Sequence, residues 1–170
     1  YATIQYGIDS GGGSYLPWPQ PVTPVYFGDV QWGDMDGDND VDLLICGETQ
    51  SGDVVTEVYE NQAGALILRQ SLEGIKNTGS GCLAWGDYDG DGDLDIAMAG
   101  LASGDVRIAR IYENSGGGSF TWDTLQPLIG VNTASVAWGD YDADGDLDLV
   151  IAGHDGVGRI TTLYENDPTG

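Results

Sequence analysis

A nine-residue aspartate pattern occurs three times at a fixed interval, and this recurrence constrains the fold more than any other feature of the chain. The stretches are Asp34-Met-Asp36-Gly-Asp38-Asn-Asp40-Val-Asp42, Asp87-Tyr-Asp89-Gly-Asp91-Gly-Asp93-Leu-Asp95 and Asp140-Tyr-Asp142-Ala-Asp144-Gly-Asp146-Leu-Asp148. Asp34 and Asp87 are 53 residues apart, as are Asp87 and Asp140. The flanks recur with them. Trp32-Gly33, Trp85-Gly86 and Trp138-Gly139 precede the loops, and the apolar runs starting at Leu43, Ile96 and Leu149 follow. Tyr59-Glu60-Asn61, Tyr112-Glu113-Asn114 and Tyr164-Glu165-Asn166 come next. A period of this length marks a repeat architecture, in which each unit buries its apolar faces against its neighbours.

Each unit reads as four short strands. The first runs into Trp-Gly, and the aspartate loop is a hairpin turn. The second strand is continuously apolar and is expected to be buried on both faces. A Gly/Ser/Asp turn leads to a third strand such as Arg107–Tyr112, and a Gly-rich turn leads to a fourth, near residues 65–70 or 120–126. No segment carries a helical period, and 28 glycines suit many tight turns. Four antiparallel strands in a unit of about 50 residues describe a β-propeller blade, so the fold class is all-β. The units fall at residues 29–81, 82–134 and 135–170, the last lacking its fourth strand. Residues 1–28 read as the third and fourth strands of an earlier blade, because Gln5-Tyr6 aligns with Ile111-Tyr112 and Ser10–Tyr15 mirrors Ser115–Phe120. Trp32, Trp85, Trp138, Tyr59, Tyr112 and Tyr164 are assigned to the core between blades.

The three loops hold 15 of the 28 acidic residues. Four carboxylates about 5 Å apart repel by roughly 3 kcal/mol per pair at an effective dielectric near 20. Six pairs approach about 20 kcal/mol, against a whole-domain stability of about 5–15 kcal/mol. Such a loop must hold a cation, stay open in water, or protonate. Oxygen ligands select a hard cation, and crowded carboxylates on a flexible turn suit Ca2+ better than Mg2+. Positions 1, 3 and 5 offer side chains: Asp34, Asp36 and Asp38; Asp87, Asp89 and Asp91; Asp140, Asp142 and Asp144. Position 6 makes the sharp reversal, with Asn39, Gly92 or Gly145 there. Position 7 (Asp40, Asp93, Asp146) offers its backbone carbonyl, and position 9 (Asp42, Asp95, Asp148) closes the cage. An EF-hand is excluded, because position 12 is Ile45, Met98 or Ile151 within a β-like run rather than Glu before a helix.

The run Trp85-Gly-Asp-Tyr-Asp-Gly-Asp-Gly-Asp-Leu-Asp-Ile-Ala-Met-Ala-Gly100 resembles the FG-GAP/VCBS repeats of integrin-α-type β-propellers, and the resemblance extends over nearly the whole chain. It implies three calcium ions, one in each first hairpin, held by the same fifteen aspartates. Trp-Gly stands where integrins carry Phe-Gly, and no Gly-Ala-Pro follows, so the chain looks closer to bacterial-type VCBS repeats. Propellers of this family usually have about seven blades, or roughly 370 residues at this period. A chain of 170 residues that begins at Tyr1 rather than Met is therefore expected to be processed or a fragment of a longer propeller, a subunit of a ring, or the unit of a filament closed by strand addition. Its partners are then further blades or other copies of itself, with protein or glycan ligands beyond them.

Composition excludes some functions and leaves others. A net charge of −23 is incompatible with binding nucleic-acid phosphates and opposes anionic membrane surfaces. No apolar run is long enough to cross a membrane as a helix. His154, the one histidine, is read as a turn residue; no nucleophile–base arrangement stands out, so the chain is read as a non-enzyme. Cys46 occupies the place of Ala99, and Cys82 that of Ser135. This pair is either a disulfide between adjacent units, fitting an oxidising compartment, or two buried thiols. The function expected is an extracellular or cell-surface module with a calcium-stabilised structural or adhesive role. The alternative is a carbohydrate-active or carbohydrate-binding propeller, with Trp18 or Trp122 as stacking platforms.

Overall fold

The structure is a computed structural model that describes residues 22–78 and 81–166. The expected partial blade at 1–28 falls almost wholly outside these, as does Trp18. Among the described residues, eleven strands form three antiparallel sheets in chain order. In the first, β1 (Tyr26–Gly33), β2 (Asp42–Glu48), β3 (Val54–Gln62) and β4 (Ala65–Leu72) lie side by side. The second has β5 (Leu83–Gly86), β6 (Asp95–Ala102), β7 (Val106–Asn114) and β8 (Phe120–Trp122). The third has β9 (Asn132–Gly139), β10 (Asp148–His154) and β11 (Arg159–Tyr164). The only helical element among the described residues is a 3-10 turn, Ser103–Asp105. The sheets have the order and size of propeller blades and do not close a ring.

Of the second strands, β2 and β6 are buried along nearly their whole length and β10 only in part. Side chains alternate across a strand, so Leu44 and Cys46 of β2 face the second sheet while Leu43 and Ile45 join Tyr59 and Leu66 on the opposite face. In the middle sheet both faces of β6 are covered, and Ile96, Ala97, Met98 and Ala99 all belong to one core that continues through Val136, Leu149 and Ile151 of the third sheet. Strand β8 stops at Trp122, short of the expected 120–126, because Asp123 turns the chain by accepting the Leu125 amide through Oδ1 at 2.8 Å.

The Trp-Gly pair is an inter-blade contact. Trp85 and Trp138 each lie on the glycine of the sheet before their own. A Cβ on Gly33 would sit 2.8 Å from Cδ1 of Trp85, and one on Gly86 only 2.5 Å from Cδ1 of Trp138. Trp138 also stacks on Tyr88, with ring centroids 5.9 Å apart. Trp85 and Trp138 are therefore partly buried between sheets, and Tyr59 and Tyr112 are buried. Trp32 departs from the expected core position: it is 59% exposed, since no sheet before β1 offers it a glycine among the described residues.

This packing distinguishes two equivalent glycines. Gly86→Ala forces a methyl group into the Trp138 ring and should cost about 1–3 kcal/mol. Gly139→Ala meets nothing within 4 Å and should change stability by less than about 0.5 kcal/mol. Urea unfolding of the two variants in the 170-residue chain measures the difference, and equal effects would remove the Trp-on-Gly account.

Candidate metal centre

Each aspartate loop joins the first two strands of its sheet, and the backbone turns twice through left-handed geometry. Position 6 has φ of 71° at Asn39, 98° at Gly92 and 103° at Gly145. Position 4 is left-handed too, with φ of 73° at Gly37, 75° at Gly90 and 63° at Ala143. The second reversal was not expected from the sequence, and Ala143 conceals it in the third loop.

These turns gather three carboxylates per loop. Asp34, Asp36 and Asp42 each offer an oxygen within 4.8 Å of the others; Asp87, Asp89 and Asp95 do the same, and so do Asp140, Asp142 and Asp148. These are positions 1, 3 and 9. The position 5 carboxylates, Asp38, Asp91 and Asp144, lie outside the triads and accept the amide two residues on, at 2.7, 2.9 and 3.0 Å. The side chains of Asp40, Asp93 and Asp146 also lie outside.

The position 9 carboxylate is the buried member of each triad. Oδ2 of Asp42, Asp95 and Asp148 accepts the position 2 amide, of Met35, Tyr88 and Tyr141, at 2.9 Å each time. Oδ1 accepts the amide of Asn61, Asn114 or Asn166 on the third strand side, at 2.8, 2.8 and 2.9 Å. Burial pushes Asp42 above the usual carboxylate range, and pushes Asp95 up to about 7 even against these two amides. Burial also raises Asp36 and Asp89, and neighbouring aspartates add to it. Ionising the triad in the folded chain therefore carries a cost that a bound cation would offset.

The donor set fits a metal ion. All the candidate ligands are oxygen, the choice of hard divalent cations. Asp34 Oδ1 and Asp87 Oδ1 are buried without a hydrogen-bond partner, although such atoms nearly always have one. Both belong to position 1, beside the other two carboxylates of their triads. The three acidic clusters could each hold a metal ion and are compatible with calcium.

The asparagine of Tyr-Glu-Asn extends the site across the interface. Asn114 Nδ2 donates to the Met35 carbonyl of the preceding sheet's loop at 2.7 Å, and Asn166 Nδ2 donates to the Tyr88 carbonyl at 2.7 Å. The position 2 residue is thus held by its own loop through N–H and by the next sheet through C=O. The sequence assigns the tyrosine of the Tyr-Glu-Asn recurrence to the core and leaves its asparagine without a role. The signal was its spacing: 19 residues separate Asp42 from Asn61 and Asp95 from Asn114, and 18 separate Asp148 from Asn166.

The model for the FG-GAP-like repeat matches residues 34–98 and 87–151. The chain belongs to this family. Each matched FG-GAP-like stretch opens on the first aspartate of a loop and ends inside the second strand of the next sheet, so it spans an inter-blade interface as well as a loop. No curated protein matches the chain.

Two residues considered at the sequence level have local roles. His154 Nδ1 accepts the Gly156 amide at 2.9 Å within a turn. One face of the Trp122 ring is covered by the Arg110 guanidinium, 3.8 Å from its centroid.

Asn114 is fully buried, and Asn114→Ala leaves the Met35 and Leu94 carbonyls without its donor. The expected loss is about 1–3 kcal/mol in urea unfolding. Wild-type stability in this variant would show that the side-chain link between loop and neighbouring sheet carries no weight.

Proposed function

We propose that this FG-GAP-like repeat protein is an extracellular or cell-surface module with a structural or adhesive role, in which calcium rigidifies the hairpins that join its blades. The observation that carries this reading is the threefold aspartate triad, with buried position 1 oxygens lacking any partner in two of the three. Asp34, Asp36 and Asp42 would hold one ion, Asp87, Asp89 and Asp95 a second, and Asp140, Asp142 and Asp148 a third. Carboxylate-rich loops of this kind suit the roughly 10⁻⁴–10⁻³ M affinities of extracellular modules, where calcium is abundant. The role is non-catalytic: the carboxylates act as ligands, and the ion screens their repulsion and fixes the loop.

The partners in this reading are further repeats, in a longer chain or another copy, and protein or glycan ligands. Gly139 offers a following tryptophan the open surface that Gly86 offers Trp138, which supports docking of a further blade. In the carbohydrate-active or carbohydrate-binding alternative, Trp122 would have to stack through the ring face that Arg110 leaves uncovered.

Calorimetric titration should give three calcium ions per chain. Chelator should lower the melting temperature and calcium restore it, with magnesium less effective because it resists dehydration. Asp89→Asn, at an exposed position that accepts the Asp91 amide at 3.2 Å, should reduce the stoichiometry to two while leaving the metal-free melt close to wild type. A melt indifferent to chelator and calcium would overturn the structural-metal reading.

A further inference from the structure

We propose that Cys46 and Cys82 form a disulfide that joins the first and second sheets. Cys46 lies in β2, and Cys82 immediately precedes β5. Their sulfurs are 3.3 Å apart across the interface, and both residues are fully buried among the core side chains. Each is a free thiol in the structure. A disulfide places the sulfurs about 2.05 Å apart, so the two must approach by roughly 1.3 Å.

The neighbouring interface provides an internal comparison. There the equivalent residues are Ala99 and Ser135, and the two sheets share one core with no cysteine at either place. The backbone at this site is already fixed: the Cys82 carbonyl accepts the Ala99 amide at 3.0 Å, and the Leu83 amide donates to Asp29 Oδ2 of the first sheet at 3.2 Å. Cys46 pairs with Asp29 across β1 and β2. The two thiols are therefore presented to each other by both sheets rather than by one flexible loop.

The hydrogen bond to Cys46 and then burial push the Cys82 thiol far above its ordinary range, so folded Cys82 is a poor nucleophile, and both sulfurs are closed off from an oxidant by the core. The bond accordingly forms while the chain folds. One thiolate attacks a disulfide oxidant, either a disulfide-carrying oxidoreductase or oxidised glutathione, and forms a mixed disulfide. The second cysteine, as thiolate, attacks the protein sulfur of that bond and expels the oxidant's second thiol. Two protons leave the cysteines, and two electrons reduce the oxidant disulfide to two thiols. The product links residues 36 positions apart in sequence and restricts the unfolded chain accordingly.

The inference does not rest on the metal, and its test is separable from the chelator experiment. The 170-residue chain is refolded with calcium in a buffer of oxidised and reduced glutathione, then denatured and titrated for thiols. The expected result is no free thiol before reduction, two after it, and a proteolytic fragment joining the Cys46 and Cys82 peptides. Reduction should lower the melting temperature by about 10 °C. The Cys46→Ala/Cys82→Ala variant, which restores small side chains at both places, should show no such response to reductant. Two free thiols after oxidative refolding, glutathione adducts alone, or disulfides only between chains would each overturn the proposal.

Discussion

The architecture depends on a carboxylate placed where water does not reach it. At position 9 of each loop, Asp42, Asp95 or Asp148 is the first residue of the second strand and is buried. Its two oxygens accept one amide from the loop and one from the third strand side. Hydrogen bonds to a charged acceptor are worth about 1.5–3 kcal/mol each, more than a neutral backbone pair. One side chain thereby fixes the loop closure and the start of the sheet together. The same burial makes the ionised form costly, as the raised Asp42 and Asp95 show. The carboxylate therefore organises the hairpin and creates the electrostatic problem that a cation would solve.

Coupling between blades follows from the position 2 residue. Met35 and Tyr88 each donate N–H to their own position 9 carboxylate and accept a side-chain amide from the next sheet. Met35 is also buried in the shared core, and the Tyr88 ring stacks on Trp138. Disordering a loop would release its own strand pair and the neighbour's asparagine at once. In repeat proteins stability is close to a sum of unit and interface terms, and here one residue contributes to both. An ion bound in one loop would for this reason stabilise two sheets, although its ligands come from one.

Much of this was legible because the sequence states it three times. The interval of 53 residues, the Trp-Gly, and the continuous apolar second strands each correspond to a defined place in the sheets. Residues that serve by contact across a gap were less legible. The glycine after tryptophan reads as a turn residue in one dimension, yet in three it is the floor on which the next tryptophan rests. Asn114 gave no hint that its amide crosses to Met35, 79 residues away. Position 5 is of another kind: alternation places Asp38, Asp91 and Asp144 among the ligands, and their carboxylates here accept the backbone amides two residues on, outside the gathered triads. The exposure of Trp32 shows a further limit, because among the described residues no sheet precedes β1 to cover it.

The first interface can be followed from one end to the other, and the two proposals concern different parts of it. At the loop end Asn114 holds the Met35 carbonyl, and beside it Trp85 covers Gly33. Further along, Asp29 takes the Leu83 amide and the sulfurs of Cys46 and Cys82 meet. At the far end the Asn77 amide donates to the Phe27 carbonyl at 2.6 Å. The second interface keeps the loop-end contacts through Asn166 and Trp138, and satisfies the Val136 amide with the Gly81 carbonyl at 2.7 Å instead of a carboxylate. The contacts nearest the aspartate loops are thus constant, while those remote from them vary between repeats. A cation acts on the constant part and would restrain every interface alike. A cysteine pair acts on the variable part, and only in the one interface where both replacements coincide. The two restraints would be complementary in mechanism as well: an ion removes repulsion from the folded state and responds to its free concentration, whereas a covalent link limits the unfolded chain and persists when the ion is withdrawn.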